Sequence, residues 1–122
     1  MADNTSNPFP TTSIYPLVPV RDMAAAVEFY RTWMGRDADI VVEPTMQEWQ
    51  LAPGMWLQVA EKRETAGTSV IRIGVDDVAV ARTSLVERGL DVDEPVDYFG
   101  VVRVADFRDP DGNRFSLVQE LT

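Results

Sequence analysis

The residue types that could do chemistry in this chain are few, because its 122 residues include neither cysteine nor histidine. Without a thiol there is no disulfide, no thiolate nucleophile and no thiolate zinc site, and without an imidazole there is no Ser-His-Asp triad. Acid–base chemistry would therefore fall to carboxylates, tyrosine, arginine or Lys62. A metal site would have to be all-oxygen, which favours hard ions such as Mg²⁺ or Ca²⁺.

The overall charge is acidic, with 11 basic against 20 acidic side chains and a formal net charge of −9 at pH 7. No basic stripe interleaved with aromatic residues appears, so we expect no nucleic-acid partner. The longest apolar run is far too short to span a membrane, and the first twelve residues lack the regions of a secretory signal. The lack of cysteine suits a cytoplasmic location.

Two groups of aspartates could be functional. Asp76-Asp77 could form an acid–base pair, but an N-cap role for Asp77 beside a solvated Asp76 is the better explanation. The sequence Asp109-Pro-Asp-Gly112 is similar to the loops that bind metal ions or phosphate. A tight turn explains it more simply, because Pro110 presets φ, the aspartates hydrogen-bond local amides and Gly112 adopts positive φ.

The elements that must position these residues follow from a faint internal repeat. Asp22 and Asp77 are fifty-five positions apart. Each follows an extended apolar stretch and precedes a segment whose apolar residues recur at the spacing of a helix. An Asp at the N-cap accepts hydrogen bonds from the first amides of a helix, and Gly35 and Gly89 stand where a helix needs a left-handed terminating residue. We therefore predict one helix in each half of the chain.

Three short extended runs separated by turns follow each predicted helix, so that each half has the order β-α-β-β-β. The predicted runs are 38–43, 46–51 and 55–61 in the first half, and 90–96, 100–108 and 114–119 in the second. We expect an N-terminal arm over residues 1–13 and a single domain over 14–122. Within it, module one covers 14–61, a linker 62–68 and module two 69–120.

Three groups of motifs carry a family resemblance. They are Val18-Pro-Val-Arg-Asp22 with Phe29-Tyr30, Val75-Asp-Asp-Val78 with Leu85 and Gly89, and Asp109-Pro-Asp-Gly-Asn113. In this order they resemble the vicinal oxygen chelate superfamily, which includes glyoxalase I, extradiol dioxygenases and bleomycin-resistance proteins. The resemblance covers Ile14 to about Gln119. It implies an α+β fold, the glyoxalase/bleomycin-resistance fold, in which two βαβββ modules form a curled mixed sheet around a cavity.

The resemblance also implies where a metal would lie. Metal-dependent members place His or Glu at four inward positions, which correspond here to Tyr15, Gln58, Val70 and Ser116. None of these is a carboxylate or an imidazole, so we expect no metal and no other cofactor. Glyoxalase, dioxygenase, fosfomycin-transferase and metal-dependent epimerase activities are then not expected.

Strand alternation in such a fold predicts that Arg72 and Arg114 point into the cavity, with Arg103 as a third candidate. A buried guanidinium needs a partner, and its planar fork suits a carboxylate or phosphate. An internal salt bridge, for instance to Glu48 or Asp106, is the alternative. The sequence leaves both open.

Aromatic residues could give this cavity a stacking wall for a flat or cationic ligand. Trp49 and Trp56 lie on adjacent predicted strands, and Trp33 on the first helix belongs to the core or to a subunit interface. Core packing alone is an equally good explanation of such residues. The predicted ligand-binding set is Tyr15, Trp49, Trp56, Gln58, Arg72, Tyr98, Phe99, Arg103, Arg114 and Ser116.

We predict from these features a glyoxalase/bleomycin-resistance-like protein that sequesters a small organic molecule, cationic or aromatic, without metal. One alternative is a metal-independent lyase or isomerase whose carboxylated substrate is held by Arg72 or Arg114. A second alternative is a non-catalytic scaffold subunit. The expected partners are the small molecule and a second copy of the chain in a homodimer, with no nucleic acid and no membrane.

Overall fold

The computed structural model describes residues 7–122, and residues 1–6 of the predicted N-terminal arm lie outside the described part. Each half contains one helix and four strands in the predicted order. The elements are β1 (Leu17–Val20), α1 (Met23–Met34), β2 (Ile40–Glu43), β3 (Met46–Ala52), β4 (Met55–Glu61), β5 (Val70–Gly74), α2 (Val78–Glu87), β6 (Val96–Tyr98), β7 (Val102–Arg108) and β8 (Arg114–Glu120). The α+β class and the two βαβββ modules are confirmed.

The two helices begin where the capping chemistry predicts. Asp22 Oδ1 accepts hydrogen bonds from the amides of the first turn of α1, the shorter at 3.0 Å from Ala24. Asp77 does the same for α2, with a 2.9 Å bond from Ala79. Gly35 ends α1 at φ 72°, a left-handed conformation that costs glycine little.

Each module forms its own four-stranded mixed sheet. Sheet one has the order β1-β4-β3-β2 and sheet two the order β5-β8-β7-β6, with the first strand of each module parallel to the last. β1 and β5 are therefore edge strands of their sheets. Each module inserts its fourth strand beside its first, and the connections β2-β3-β4 and β6-β7-β8 are antiparallel.

The predicted strand over 90–96 is the clearest difference from the sequence expectation. Only Val92 pairs there, in an isolated bridge to Phe107, and β6 begins at Val96. Two features interrupt the strand. Arg82 of α2 donates from Nε to the carbonyl of Asp93 at 2.9 Å, and Pro95 has no amide hydrogen for a ladder.

One apolar core joins the two modules through α1. The Tyr30 ring lies 5.6 Å from Trp49 of sheet one and 6.2 Å from Phe115 of sheet two. Trp33, one turn later, packs edge-on against Phe107 and Phe115 at 5.0 and 4.9 Å. Because α1 contacts both sheets, the faces that carry the core residues converge on this helix.

Polar contacts tie the linker and module two to β1. The Asn113 side-chain amide donates to the Pro19 carbonyl at 2.8 Å, and the Ser69 hydroxyl donates to the Leu17 carbonyl at 3.0 Å. Gly67 has a φ of 84°, and a Cβ at this position would collide with the Asp111 carbonyl. The linker therefore passes directly against the β7–β8 turn. No helix in the described part of the chain is long and apolar enough to cross a membrane.

Candidate functional site

A cavity of about 290 Å³ lies where the two modules meet. Its walls come from the segment before β1, from β3 and β4, and from the edge strand β5. Apolar side chains provide most of the surface, and Trp56 and Arg72 provide an indole and a guanidinium. The lining residues are Ile14, Pro16, Leu51, Ala52, Met55, Trp56, Leu57, Ile71, Arg72, Ile73 and Gly74.

Trp56 is held at this cavity by a backbone hydrogen bond and by an aromatic partner. Its amide donates to the Ile14 carbonyl at 3.1 Å, which attaches the arm before β1 to β4. Its ring stacks against Tyr15, with the centroids 6.1 Å apart and the planes 16° from parallel. Tyr15 is half exposed, and Trp56 is partly buried. Trp56 therefore lines the cavity, whereas Tyr15 packs against it without being one of the lining residues.

The opposite face of sheet one from the core carries a polar pair. Glu48 of β3 and Gln58 of β4 are cross-strand partners, and the Gln58 amide donates to Glu48 Oε2 at 2.7 Å. Glu48 is buried, with 6% of its surface exposed. Sequence reasoning named Gln58 but missed Glu48 as its partner. The signal was available in the alternation of β3, which places Glu48 on the opposite face from Trp49.

Sheet two carries the equivalent pair at the equivalent register. Asp106 of β7 and Ser116 of β8 are cross-strand partners, and the Ser116 hydroxyl donates to Asp106 Oδ1 at 2.6 Å. Each module thus places a carboxylate on its third strand and the carboxylate's hydrogen-bond donor on its fourth. The repeat seen in the sequence extends to these polar side chains.

The four positions at which metal-dependent relatives hold an ion do not fit a divalent metal in this chain. Val70 is apolar, while Gln58 and Ser116 direct hydrogens at carboxylates of their own sheets. Tyr15 has its ring against Trp56. Within residues 7–122 no three acidic side chains are grouped so that they could hold an ion. The donor set therefore does not match the family's metal site.

The structure separates the three predicted arginines. Arg103 forms a bidentate ion pair with Asp97 at 2.7 and 3.0 Å, which keeps the pKa of the Asp97 carboxyl below its usual value. Arg103 therefore has an internal partner. Arg72 and Arg114 lie on adjacent strands of sheet two, and within the described residues neither has a carboxylate in ion-pair range.

The predicted aromatic wall is smaller than expected. Trp49 is wholly buried on the core side of sheet one, where its indole N–H donates to the Arg36 carbonyl at 3.1 Å. The prediction that Trp49 lines the cavity is therefore wrong, because β3 alternation directs it toward Tyr30. Trp33 belongs to the core as well. Tyr98 and Phe99 lie at the β6–β7 hairpin, where Phe99 is 98% exposed and does not line the cavity described above.

The run from Asp109 to Gly112 is a turn, and Asp109 also makes contacts outside the turn. Asp109 Oδ1 accepts from the amides of Asp111 and Asn113, as predicted for the turn. Its Oδ2 accepts from the Tyr30 hydroxyl at 2.7 Å and from the Asn113 side chain at 2.8 Å. The motif therefore connects the β7–β8 turn to α1. Only the tertiary structure shows the contact with Tyr30.

Comparisons with known proteins agree with this architecture. The family model for the Glyoxalase/Bleomycin resistance protein/Dioxygenase superfamily matches residues 13–117. The chain belongs to this superfamily. No curated protein sequence matches it.

The chain is also similar to solved structures with the same fold. A glyoxalase/bleomycin resistance protein from Catenulispora acidiphila DSM 44928 is 28% identical, with a TM-score of 0.81, and the match covers 89% of this chain and 98% of that one. TnmS3, an antibiotic-binding protein from Streptomyces sp. CB03234, is 27% identical, with a TM-score of 0.72 over 91% and 97% of the two chains. A bleomycin-binding protein in complex with bleomycin has a TM-score of 0.74 over 90% and 99%, and at 19% identity it shows the fold alone.

Proposed function

We propose that this protein binds a planar aromatic small molecule, without a metal ion, in the cavity between its two modules. The observation that carries the proposal is the stacked pair Trp56–Tyr15 at the edge of an apolar cavity. A volume of about 290 Å³ is at the lower end of the range for small-molecule sites. The similarity to an antibiotic-binding protein supports a sequestering role.

Of the two ligand chemistries predicted from the sequence, the cavity favours the aromatic one. Its apolar lining and flat indole surface suit an aromatic ring, whose stacking contributes about 0.5–1.5 kcal/mol beyond the area buried. The charged group in the lining is Arg72, which repels a cation. The acidic surface would attract cations to the molecule but not to this cavity.

Binding is favoured over catalysis by the composition of the same lining. A lyase or isomerase needs a group that moves a proton at the substrate. The residues that line the cavity in the described part of the chain include no carboxylate and no lysine. Glu48 and Asp106, on the sheet faces opposite the core, already accept hydrogen bonds from Gln58 and Ser116. Sequestration requires only the shape and the stacking surface.

The test of this function uses Trp56 as its own reporter. Trp33 and Trp49 are buried in the core, so a ligand in the cavity should quench the emission of Trp56 alone. We expect saturable quenching by members of a panel of planar aromatic antibiotics, with binding confirmed by calorimetry. Addition of a chelator should leave the affinity unchanged.

Two variants separate cavity binding from nonspecific quenching. Trp56→Ala should remove both the quenching and most of the calorimetric heat, whereas Phe99→Ala, which removes an exposed aromatic outside the cavity, should change neither. If Trp56→Ala bound the same compounds with unchanged affinity, the cavity would not be the binding site. If no compound in the panel gave saturable quenching of the unsubstituted protein, the proposed function would be wrong.

The proposal includes a homodimer. Its support is the apolar edge strand β2, on which Ile40, Val41 and Val42 are each between 44% and 59% exposed. An unpaired edge of this composition is a site for pairing or packing with another chain. A cytoplasmic location stays a prediction of the sequence.

A further inference from the structure

Arg72 and Arg114 are diagonal neighbours on one face of sheet two. In the parallel pairing of β5 and β8, Arg114 lies opposite Val70, and Arg72 lies opposite Ser116. Residues two apart on adjacent strands at such positions are within reach of long side chains. Arg72, Arg114 and Ser116 therefore share one face of sheet two, with Ser116 directly across from Arg72 and two positions along β8 from Arg114.

Among residues 7–122, neither of these guanidinium groups forms an ion pair, although the chain is rich in acidic side chains. The Nε of Arg114 is buried and has no hydrogen-bond acceptor within residues 7–122. A buried donor without an acceptor destabilises a fold, so such a group is normally satisfied by something. Arg72 has no acidic side chain within ion-pair range in the described structure and lines the cavity beside Trp56.

The sheet face that carries Arg72, Arg114 and Ser116 is locally positive, although the protein as a whole is negatively charged. Asp106 accepts the Ser116 hydroxyl, and Arg108, directly across from Arg114, is paired with Asp93 at 3.3 Å. Two guanidinium groups with no ion-pair partner among residues 7–122 thus share a sheet face with one carboxylate in a protein of net charge −9. Like charges on one face of adjacent strands are unfavourable, and a bound anion would relieve this repulsion.

We propose that Arg72 and Arg114 form an anion subsite, so that the ligand of the cavity is an aromatic acid whose carboxylate or phosphate lies between the two guanidinium groups. This deepens the proposed function, because the aromatic part of the same molecule occupies the Trp56 side of the cavity. A planar carboxylate accepts two hydrogen bonds from a guanidinium fork. The Nε–H of Arg114 is the donor that such an anion would satisfy.

The first test observes Arg114 directly and needs no aromatic ligand. The protein is labelled with ¹⁵N-arginine, and the Nε–Hε signal of Arg114 is assigned by its loss in Arg114→Lys. Titration with inorganic phosphate, against sodium chloride of the same ionic strength, should shift this signal saturably. A signal that does not move with phosphate overturns the anion subsite.

The second test compares two probes that differ only in charge, 1-naphthoate and 1-naphthamide. We expect the acid to bind roughly tenfold to a hundredfold more tightly, the range that a hydrogen bond to a charged group supplies. Arg72→Gln should abolish this preference. Arg63→Gln is the matched control, because Arg63 is an exposed arginine of the linker over residues 62–68 and its substitution changes the net charge equally.

The two tests separate this inference from the proposed function. Equal affinities for the acid and the amide, with Trp56 still quenched by both, would overturn the anion subsite and leave aromatic binding intact. A phosphate-sensitive Arg114 signal with no quenching by either probe would support the anion subsite and contradict the aromatic site.

Discussion

At the scale of single residues, Asp109 shows how one side chain can hold two parts of the fold together. Its two oxygens accept four hydrogen bonds, from the turn that contains it, from Asn113 and from the Tyr30 hydroxyl of α1. Asp109 is only 5% exposed, so these bonds replace the water that a carboxylate would otherwise bind. The carboxylate is therefore a structural group rather than a metal ligand or a base.

Tyr30→Phe tests this contact through its pH dependence. Burial, the negative charge of Asp109 and the hydrogen bond to it raise the pKa of Tyr30 above the usual value of 10.0. The unfolded chain loses the Tyr30 proton near pH 10, while the folded chain retains it. The contribution of this hydrogen bond to the free energy of unfolding is therefore present below pH 10 and is lost progressively above it. We expect Tyr30→Phe to lose about 2 kcal/mol at neutral pH and less at about pH 11.

Urea denaturation of both proteins at the two pH values measures this difference. Tyr98→Phe is the control, because Tyr98 is half exposed at the β6–β7 hairpin and outside the core. A stability difference between wild type and Tyr30→Phe that stayed constant with pH would contradict the assigned role.

At the scale of elements, the capping aspartates and the paired carboxylates follow the repeat. Asp22 and Asp77 cap their helices with the same geometry, and Glu48 and Asp106 occupy equivalent positions on the third strand of each sheet. The two modules differ in the charge around these carboxylates. Within residues 7–122, module two places two arginines without an ion-pair partner on this face and module one places none, so we expect the two halves of the cavity to contact different parts of the ligand.

Removal of either cap should destabilise the protein by a similar amount. Asp22→Ala and Asp77→Ala each delete an acceptor for the first-turn amides, and we expect each to lower the free energy of unfolding by about 1 kcal/mol. Asp76→Ala is the matched control, because Asp76 precedes the cap and makes no such bond to α2. Chemical denaturation measures the three variants. A loss for Asp76→Ala equal to that for Asp77→Ala would show a general charge effect instead of capping.

At the scale of the whole molecule, the outer faces of the two sheets are incompletely covered within one chain. The core-bearing faces converge on α1, which leaves apolar side chains exposed along β2 and around β6. A second copy is the occupant that the proposal assigns to these surfaces. The mass in solution tests it, since one chain has a mass of 13.7 kDa.

Light scattering after size exclusion should give twice the mass of one chain. Val41→Lys places a charge on the exposed apolar edge of β2, and we expect it to shift the protein toward the monomer at micromolar concentration. Val80→Lys is the matched control, because Val80 is 66% exposed on α2, away from that edge. A monomeric wild-type protein, or equal effects of the two variants, would contradict a dimer through β2.

Much of the fold follows from local chemistry. The caps at Asp22 and Asp77, the glycine after α1 and the turn at Gly112 depend on interactions within a few residues, so they can be predicted from the chain alone. The interruption of the predicted strand over 90–96 could not be predicted in this way. The side chain of Arg82 donates to the Val92 and Asp93 carbonyls, which a strand would use in its ladder. Long-range competition of this kind leaves no local pattern.

The candidate site divides in the same way. The absence of His and Cys can be read from the sequence alone, and the resemblance to the superfamily assigns Tyr15, Gln58, Val70 and Ser116 to the positions of its metal ligands. Which of the three arginines has an ion-pair partner within residues 7–122 depends on the tertiary structure. Arg103 is paired with Asp97 across a hairpin, whereas the buried Nε of Arg114 has no acceptor among residues 7–122. The packing of the strands determines which carboxylates come within reach of each arginine.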